Sequence, residues 1–157
     1  MGKSKNYGMN TKALHANKKF EPLTGDIMPP LHLSTTYKND IPGESEYFYG
    51  RVNNPTRELF ERTLASLEGI ENYEEIHALA MASGMSAVSL IAELVKPGEN
   101  VVITKDVYGG TTNYFSKIVT ERGVEVNFCD FSDTEKLKSL LNDKTKLAWI
   151  ESPSNPS

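Results

Sequence analysis

The pattern of hydrophobic and polar positions changes character at about residue 54. Before that point no helical or strand period is sustained, and four of the eight prolines occur there. Only one short helix is expected in this part, over Thr11–Ala16. Since long irregular segments usually serve binding or assembly, we predict an extended N-terminal arm over residues 1–54 that makes inter-subunit contacts. Residues 55–157 are predicted to form an α/β domain.

A helix with marked ends opens the regular part of the chain. Asn54 is a good N-cap residue, Pro55 suits the first helical turn, and Gly69 supplies a stop. The apolar residues between these signals recur at helical spacing and form an apolar stripe made of Leu59, Phe60, Leu64 and Leu67, which predicts a helix.

Short apolar runs and amphipathic segments then alternate along the chain. The predicted strands cover His77–Ala82, Asn100–Thr104, Glu125–Asp130 and Lys146–Ile150. The predicted helices cover Met85–Val95, Thr111–Arg122 and a segment that begins with a capping box formed by Ser132 and Glu135. Strands and helices that alternate with short connections favour a mainly parallel, doubly wound sheet.

Composition narrows the classes of partner. The formal net charge is −4 and no strongly basic face is present, which argues against a nucleic-acid partner. No run of residues is apolar for long enough to cross a membrane. Cys129 is the only cysteine, so an intrachain disulfide is excluded and a reducing, cytoplasmic location is expected. The histidines show no metal-ligand spacing, so no metal site is predicted.

Three predicted strand-to-helix turns open at the carboxyl edge of the sheet, over residues 83–85, 106–111 and 151–157, and the first two carry the following candidate ligand-binding residues. Ser83-Gly84-Met85 lies between a strand and a helix start, where free backbone N–H groups and the helix dipole favour an anion such as phosphate. Taken alone, an ordinary tight turn is the simpler interpretation. Tyr108 ends the next strand beside two glycines, so its flat ring has room to stack on a flat ligand. Taken alone, a tyrosine that covers the sheet edge is the simpler interpretation.

Two further segments offer polar side chains to a ligand. Asn155 stands between prolines that stiffen its backbone, and its amide can bond a ligand oxygen, although Asn-Pro is also a common turn dipeptide. In the arm, Arg51 offers a planar fork suited to phosphate, and Tyr49 offers a second donor. An arm of this kind can deliver both to a neighbouring subunit, whereas a solvated arginine is the commoner role.

The order and spacing of these segments together resemble one enzyme family over essentially the whole chain. The resemblance is carried by residues 11–15, 29–37, 49–56, 83–85, 106–111 and 149–156. The family contains the pyridoxal 5′-phosphate (PLP) enzymes of transsulfuration: cystathionine γ-lyase, cystathionine γ-synthase, cystathionine β-lyase and methionine γ-lyase. It implies that residues 55–157 are an incomplete PLP-binding large domain of fold type I, the aspartate aminotransferase-like fold of PLP-dependent transferases.

The resemblance also implies roles for single residues. It assigns cofactor binding to Ser83, Gly84, Met85, Tyr108 and Asn155, and to Tyr49 and Arg51 of the neighbouring subunit. Gly84 and Met85 are expected to hold the phosphate through backbone N–H groups. Tyr108 is expected to stack on the pyridine ring and to transfer protons, and Asn155 to contact the phenolic oxygen of the ring.

The implied activity is elimination or replacement at Cβ or Cγ of cystathionine, methionine or a homoserine ester. The substrate is then a small amino acid, and the full-length family forms homotetramers built as dimers of dimers. In relatives, the lysine that anchors PLP and the aspartate that pairs with its pyridine nitrogen lie beyond Ser157, so we expect the 157 residues alone to be inactive.

Three positions bear on which member of the family this chain resembles. Phe48 and Asn113 stand where cystathionine-specific members commonly carry charged residues, and Gly110 stands where methionine γ-lyase typically has a cysteine. The substrate therefore stays open. Three alternatives also stay open: a synthase similar to O-acetylhomoserine sulfhydrylase, a non-catalytic truncated module that associates with a full-length relative, and an α/β domain whose turns bind some other phosphate ligand.

Overall fold

The computed structural model describes residues 7–15, 23–41, 43–70 and 78–154. The chain divides into two units, residues 1–80 and residues 81–157. The helices are Met9–His15 (α1) and Pro55–Leu67 (α2) in the first unit, and Gly84–Ala92 (α3), Gly109–Tyr114 (α4) and Thr134–Leu140 (α5) in the second. The strands of the second unit are Asn100–Thr104 (β1), Glu125–Cys129 (β2) and Thr145–Trp149 (β3). Among the helices in these described ranges, none is long and apolar enough to cross a bilayer.

The first unit contains the arm and α2. Helix α1 begins two residues before the predicted Thr11 and ends at His15, and Ala16 lies outside the described residues. Since α2 belongs to the same unit as the arm, contacts do not separate the two at residue 54. The functional boundary between arm and domain stays a prediction.

The start of α2 follows from local chemistry, as predicted. The Asn54 side-chain oxygen accepts the N–H groups of Thr56 at 2.9 Å and Arg57 at 3.4 Å, which satisfies two donors that the first turn leaves free. Pro55 takes the first helical position, where its missing N–H costs nothing. Gly69 follows the helix with a φ of 89°, a conformation that favours glycine.

The apolar stripe of α2 is not the face of the helix that is buried. Phe60 and Leu64 are exposed, whereas Glu58 and Glu61 are buried. Glu58 accepts a hydrogen bond from the Tyr47 hydroxyl at 2.8 Å, and Glu61 accepts one from the backbone N–H of Ala80 at 2.8 Å. Carboxylates that are supplied with donors in this way can be buried, so helical spacing alone does not identify the covered face.

Parallel strands form the sheet of the second unit in the order β2-β1-β3, which confirms the predicted parallel sheet. In the central strand, Val102 lies opposite Asn127 of β2 and Ala148 of β3. Val101, Val102 and Ile103 are 0% exposed because a central parallel strand is covered on both faces. The sequence places β1 and its burial correctly, and it places β2 and β3 to within one residue.

The segment predicted as a strand over His77–Ala82 forms none. Ala78–Ala82 has no regular structure, and His77 lies outside the described residues. A strand requires the N–H and C=O groups of a neighbour, and no strand of the described sheet pairs with this segment. An apolar run shows that a segment can be buried, but the pairing depends on the rest of the fold.

The long helix predicted over Thr111–Arg122 consists of three short pieces. After α4 the chain makes a π-helical turn over Phe115–Val119 and a 3-10 turn over Thr120–Arg122, and Gly123 ends it with a φ of 81°. The Thr120 hydroxyl donates to the Phe115 carbonyl at 3.0 Å. Side-chain donors of this kind compete for helix carbonyls, so the regular α pattern is not kept. Helix α3 likewise ends at Ala92, before the predicted Val95.

The predicted capping box before α5 is also wrong. Asp133 is the N-cap, and its carboxylate accepts the N–H of Lys136 at 2.9 Å. The Ser132 hydroxyl instead donates to the Asp130 carboxylate at 2.7 Å. Aspartate and serine are equally good caps, so the choice between neighbours depends on which oxygen reaches the free N–H groups.

Candidate functional site

A pocket opens at the carboxyl ends of β1 and β3. Its volume is about 560 Å³, which lies in the usual range for small-molecule sites. It is lined by Ser83, Gly84, Met85, Ala87, Val88, Tyr108, Thr111, Trp149 and Glu151. The pocket thus brings together described residues of the three turns that the sequence predicts at one edge of the sheet, where parallel α/β folds bind ligands.

The start of α3 presents free donors to this pocket. Ser83 is the N-cap, with an extended backbone (φ −158°, ψ 160°), and its side-chain oxygen accepts the N–H of Ser86 at 3.1 Å. Within the part of the chain that the structure describes, the N–H groups of Gly84 and Met85 have no hydrogen-bond partner. Two neighbouring N–H groups at a helix start suit an anion.

The hydroxyl of Ser83 is already engaged within α3. It lies 2.9 Å from the Ser86 hydroxyl, besides accepting the Ser86 N–H. Its predicted role as a donor to phosphate stays a prediction. The backbone groups of Gly84 and Met85 are the stronger candidates because they lack competing partners.

The ring of Tyr108 stands beside Met85 because one glycine leaves room for it. A Cβ atom on Gly110 would lie 2.4 Å from Cε1 of Tyr108 and 2.9 Å from Sδ of Met85. A Cβ on Gly109 would meet nothing within 4 Å. The Tyr108 side chain is 48% exposed, so its ring presents a free surface to a ligand. The sequence treated both glycines as clearing space, and only Gly110 does so.

The G110A variant is expected to displace the Tyr108 ring with little change in stability. The ring is exposed and can rotate away from the new methyl group, so the free energy of unfolding should change by less than about 1 kcal/mol. Nuclear Overhauser effects between the Tyr108 ring and the Met85 methyl should weaken. G109A is the matched control, and the same effects should persist in it. Unchanged effects in G110A would contradict this account of the ring.

Glu151 is the site residue that the sequence did not assign. It lies two residues after the end of β3. Its carboxylate accepts the Tyr108 N–H at 2.8 Å, the Thr111 hydroxyl at 2.9 Å and the Trp149 indole N–H at 3.1 Å. Burial alone raises the pKa of Glu151, but these three hydrogen bonds outweigh burial and hold the pKa below its usual value. Its position at the carboxyl end of a strand was the available signal in the sequence.

Trp149 connects this site to the hydrophobic core. Its ring centroid lies 5.8 Å from that of Phe115, which is fully buried. The wall of the pocket is therefore part of the packed core rather than a mobile loop. Three hydrogen-bond donors already bind the Glu151 carboxylate. The N–H groups at the start of α3 therefore stay free to bind another anion.

Of the three remaining candidates, the structure describes only Tyr49 and Arg51. Asn155 lies outside the described residues. Tyr49 and Arg51 belong to the first unit, where the Arg51 guanidinium carbon lies 4.7 Å from the Tyr49 ring centroid. Between them, a Cβ on Gly50 would lie 2.9 Å from the carbonyl oxygen of Ser34, which explains the glycine. The exposed Arg51 is thus held over an aromatic ring.

Known proteins are similar to this chain in sequence over most of its length. Residues 10–157 match the family model of the Cys/Met metabolism PLP-dependent enzymes. The cystathionine β-lyase of Coxiella burnetii is 41% identical over 150 residues, which are 94% of this chain and 38% of that protein. The cystathionine γ-lyase of Dictyostelium discoideum is 39% identical over 158 residues, 99% of this chain and 40% of that protein. The chain thus spans about two fifths of these relatives.

Solved structures share the fold. The crystal structure of metB from Corynebacterium glutamicum superposes with a TM-score of 0.86 at 35% identity, over 96% of this chain and 39% of that one. The cystathionine γ-lyase CalE6 from Micromonospora echinospora gives 0.85 at 38% identity, over 96% and 38%. The predicted fold class, part of a fold type I large domain, is confirmed. By sequence and by fold, this chain belongs to the Cys/Met metabolism family of PLP-dependent enzymes.

Proposed function

We propose that this chain is the phosphate- and ring-binding part of a PLP-dependent enzyme that acts on a sulfur amino acid. The reaction is elimination or replacement at Cβ or Cγ of cystathionine, methionine or a homoserine ester. The observation that carries the proposal is the meeting of two free N–H groups, at Gly84 and Met85, and the exposed ring of Tyr108 in one pocket.

The residues present fit this cofactor. The N–H groups of Gly84 and Met85 would hold its phosphate, and the helix dipole of α3 adds to the attraction. The flat face of Tyr108 would stack on the pyridine ring, and the pocket of about 560 Å³ accommodates a molecule of this size. When bound, PLP withdraws electrons from the reacting carbon, which is what elimination and replacement both require.

The side chains of this chain then orient the cofactor and handle protons. The Tyr108 hydroxyl, on a half-exposed side chain, would take or give a proton at the substrate. Asn155 would contact the phenolic oxygen of the ring. Tyr49 and Arg51 would reach the phosphate of a neighbouring subunit, which requires a homo-oligomer. The exposure of Arg51 and its contact with the Tyr49 ring are consistent with that role.

Binding and turnover are separate properties in this proposal. The resemblance puts the lysine that anchors PLP outside the 157 residues, so we expect them to bind the cofactor without turning over substrate. Lyases and a probable cystathionine γ-synthase from Herpetosiphon aurantiacus are all similar to this chain. Both elimination and replacement therefore remain within the proposed reaction class.

The proposal predicts that G84P loses cofactor affinity and that G84A does not. Proline at the first helical position deletes the N–H but suits the helix, and the extended backbone of Ser83 suits a following proline. G84A keeps the N–H, and its Cβ meets nothing within 4 Å. Loss of one hydrogen bond to a charged phosphate should weaken binding about tenfold or more.

The probe for this test is pyridoxine 5′-phosphate, which has the ring and phosphate of PLP but no aldehyde to react with surface lysines. Trp149 is the only tryptophan and lines the pocket, so quenching of its emission reports binding. Pyridoxine without phosphate should bind G84P and the wild type equally. Equal affinity of both variants for the phosphate ester would contradict the assignment of the phosphate site to α3.

A further inference from the structure

We propose that Glu151 is the positioning residue that sets the Tyr108 ring in the pocket, by joining the turn after β1 to the end of β3. This inference rests on the proposed function, since it assigns Glu151 a part in binding the cofactor ring. Glu151 does not itself contact the ligand in this account. It acts through Tyr108.

The geometry of the carboxylate is the first argument. Oε2 accepts the Tyr108 N–H at 2.8 Å, while Oε1 accepts both the Thr111 hydroxyl at 2.9 Å and the Trp149 indole N–H at 3.1 Å. Tyr108 lies in the turn between β1 and α4, Thr111 lies in the first turn of α4, and Trp149 lies at the end of β3. One carboxylate thus fixes two adjacent strand ends relative to each other, with both oxygens occupied.

The weak packing of Tyr108 is the second argument. Its side chain is 48% exposed, and as the N-cap of α4 it makes no side-chain hydrogen bond to the helix. The hydrogen bond from the Tyr108 N–H to Glu151 therefore largely determines the position of the backbone that carries the Tyr108 ring. Thr111, one turn further, is buried, and its hydroxyl donates to the same carboxylate. The carboxylate thus holds both the N-cap residue and the first turn of α4.

The charge state supports this role. The three hydrogen bonds keep the Glu151 pKa below its usual value, against the effect of burial, so the group is an acceptor on both oxygens at neutral pH. Glutamine has the same shape but turns an NH₂ group toward at least one of the three donors. E151Q is therefore a near-isosteric change that breaks the junction, and E151D keeps the charge but shortens the reach.

The experiment compares two ligands on the 157-residue chain. Inorganic phosphate tests the start of α3 alone, and pyridoxine 5′-phosphate tests the phosphate site and the ring together. Phosphate affinity is measured by competition against the ester, which is itself followed by quenching of Trp149 emission. We expect E151Q to weaken binding of the ester about tenfold while phosphate affinity stays unchanged, because the N–H groups of Gly84 and Met85 do not depend on Glu151.

The variants separate positioning from a merely structural role. E151D should show a smaller loss than E151Q, and E121Q, at an exposed glutamate of the same unit, should match the wild type. Should E151Q unfold, E151D alone decides, since its charge preserves the fold. A parallel loss for both ligands, or an unchanged ratio of the two affinities, would overturn the positioning role. A wild-type chain that binds neither ligand would overturn the proposed function itself.

Discussion

Replacing Phe115 with alanine is expected to destabilise the second unit by about 3–5 kcal/mol, a large part of the stability of an ordinary domain. Phe115 is 0% exposed and belongs to the core cluster that surrounds β1. Its ring also packs against Trp149, at 5.8 Å between centroids, and edge-on against Tyr114 at 6.1 Å. The substitution removes these contacts and leaves a cavity that the rigid sheet cannot close.

Ile118 provides the matched control for this prediction. It lies in the same π-helical turn but is 46% exposed, so I118A should cost less than about 1 kcal/mol. The measurement is urea denaturation followed by circular dichroism, since Trp149 emission will itself change when its neighbour is removed. Equal midpoints for F115A and I118A would show that the core is not organised around Phe115.

The E58A variant is expected to destabilise the first unit by roughly 2–3 kcal/mol. Glu58 is buried, and its carboxylate accepts hydrogen bonds from the Tyr47 hydroxyl at 2.8 Å, the Asn53 amide at 3.2 Å and the Arg62 guanidinium at 2.7 Å. Removing the carboxylate deprives all three donors of this acceptor. Glu68, exposed at the end of the same helix, is the control, and E68A should stay within about 0.5 kcal/mol of the wild type.

The pH dependence of stability tests the same cluster. Burial raises the pKa of Glu58, but its hydrogen bonds outweigh burial, and the pKa lies below its usual value. A carboxyl group with a lowered pKa stabilises the fold above its unfolded pKa of about 4.3, and this contribution is lost as the pH falls through the folded pKa. The wild type should therefore lose more stability than E58Q below about pH 5. Parallel pH profiles would contradict this assignment.

Tyr47 extends this dependence to alkaline pH. Burial, followed by the hydrogen bond to Glu58, raises the pKa of the Tyr47 hydroxyl. The unfolded chain then releases this proton near pH 10 while the folded chain retains it, so stability should decline above about pH 10. Y47F should lose this alkaline decline.

Several features of the fold follow from short stretches of sequence. The cap at Asn54 and the stop at Gly123 depend on neighbours within a few residues, and the apolar run of residues 100–104 marks β1; all three are confirmed. The capping box at Ser132 failed at the same scale, because the adjacent Asp133 reaches the free N–H group instead. Local chemistry thus predicts that a helix or strand forms more reliably than it predicts the residue at which that helix or strand begins.

Only the tertiary structure showed whether the run ending at Ala82 pairs with a strand and which face of α2 is buried. The apolar run ending at Ala82 has the composition of a strand but no neighbour in the described sheet. The buried face of α2 is lined by Glu58 and Glu61, and no periodicity of apolar residues identifies it. Both outcomes depend on hydrogen-bond donors and strands from distant parts of the chain. The spacing of apolar residues within a helix or strand does not predict those partners.

The sequence likewise indicated some features of the candidate site, while others required the tertiary structure. The motifs around Gly84 and Tyr108 are local, and their order along the chain was sufficient to indicate the family and its cofactor, as the comparisons confirm. The role of Glu151 and the difference between Gly109 and Gly110 came only from the tertiary structure. Glu151 lies 43 residues from its partner Tyr108, and folding of the parallel sheet alone brings the ends of β1 and β3 together.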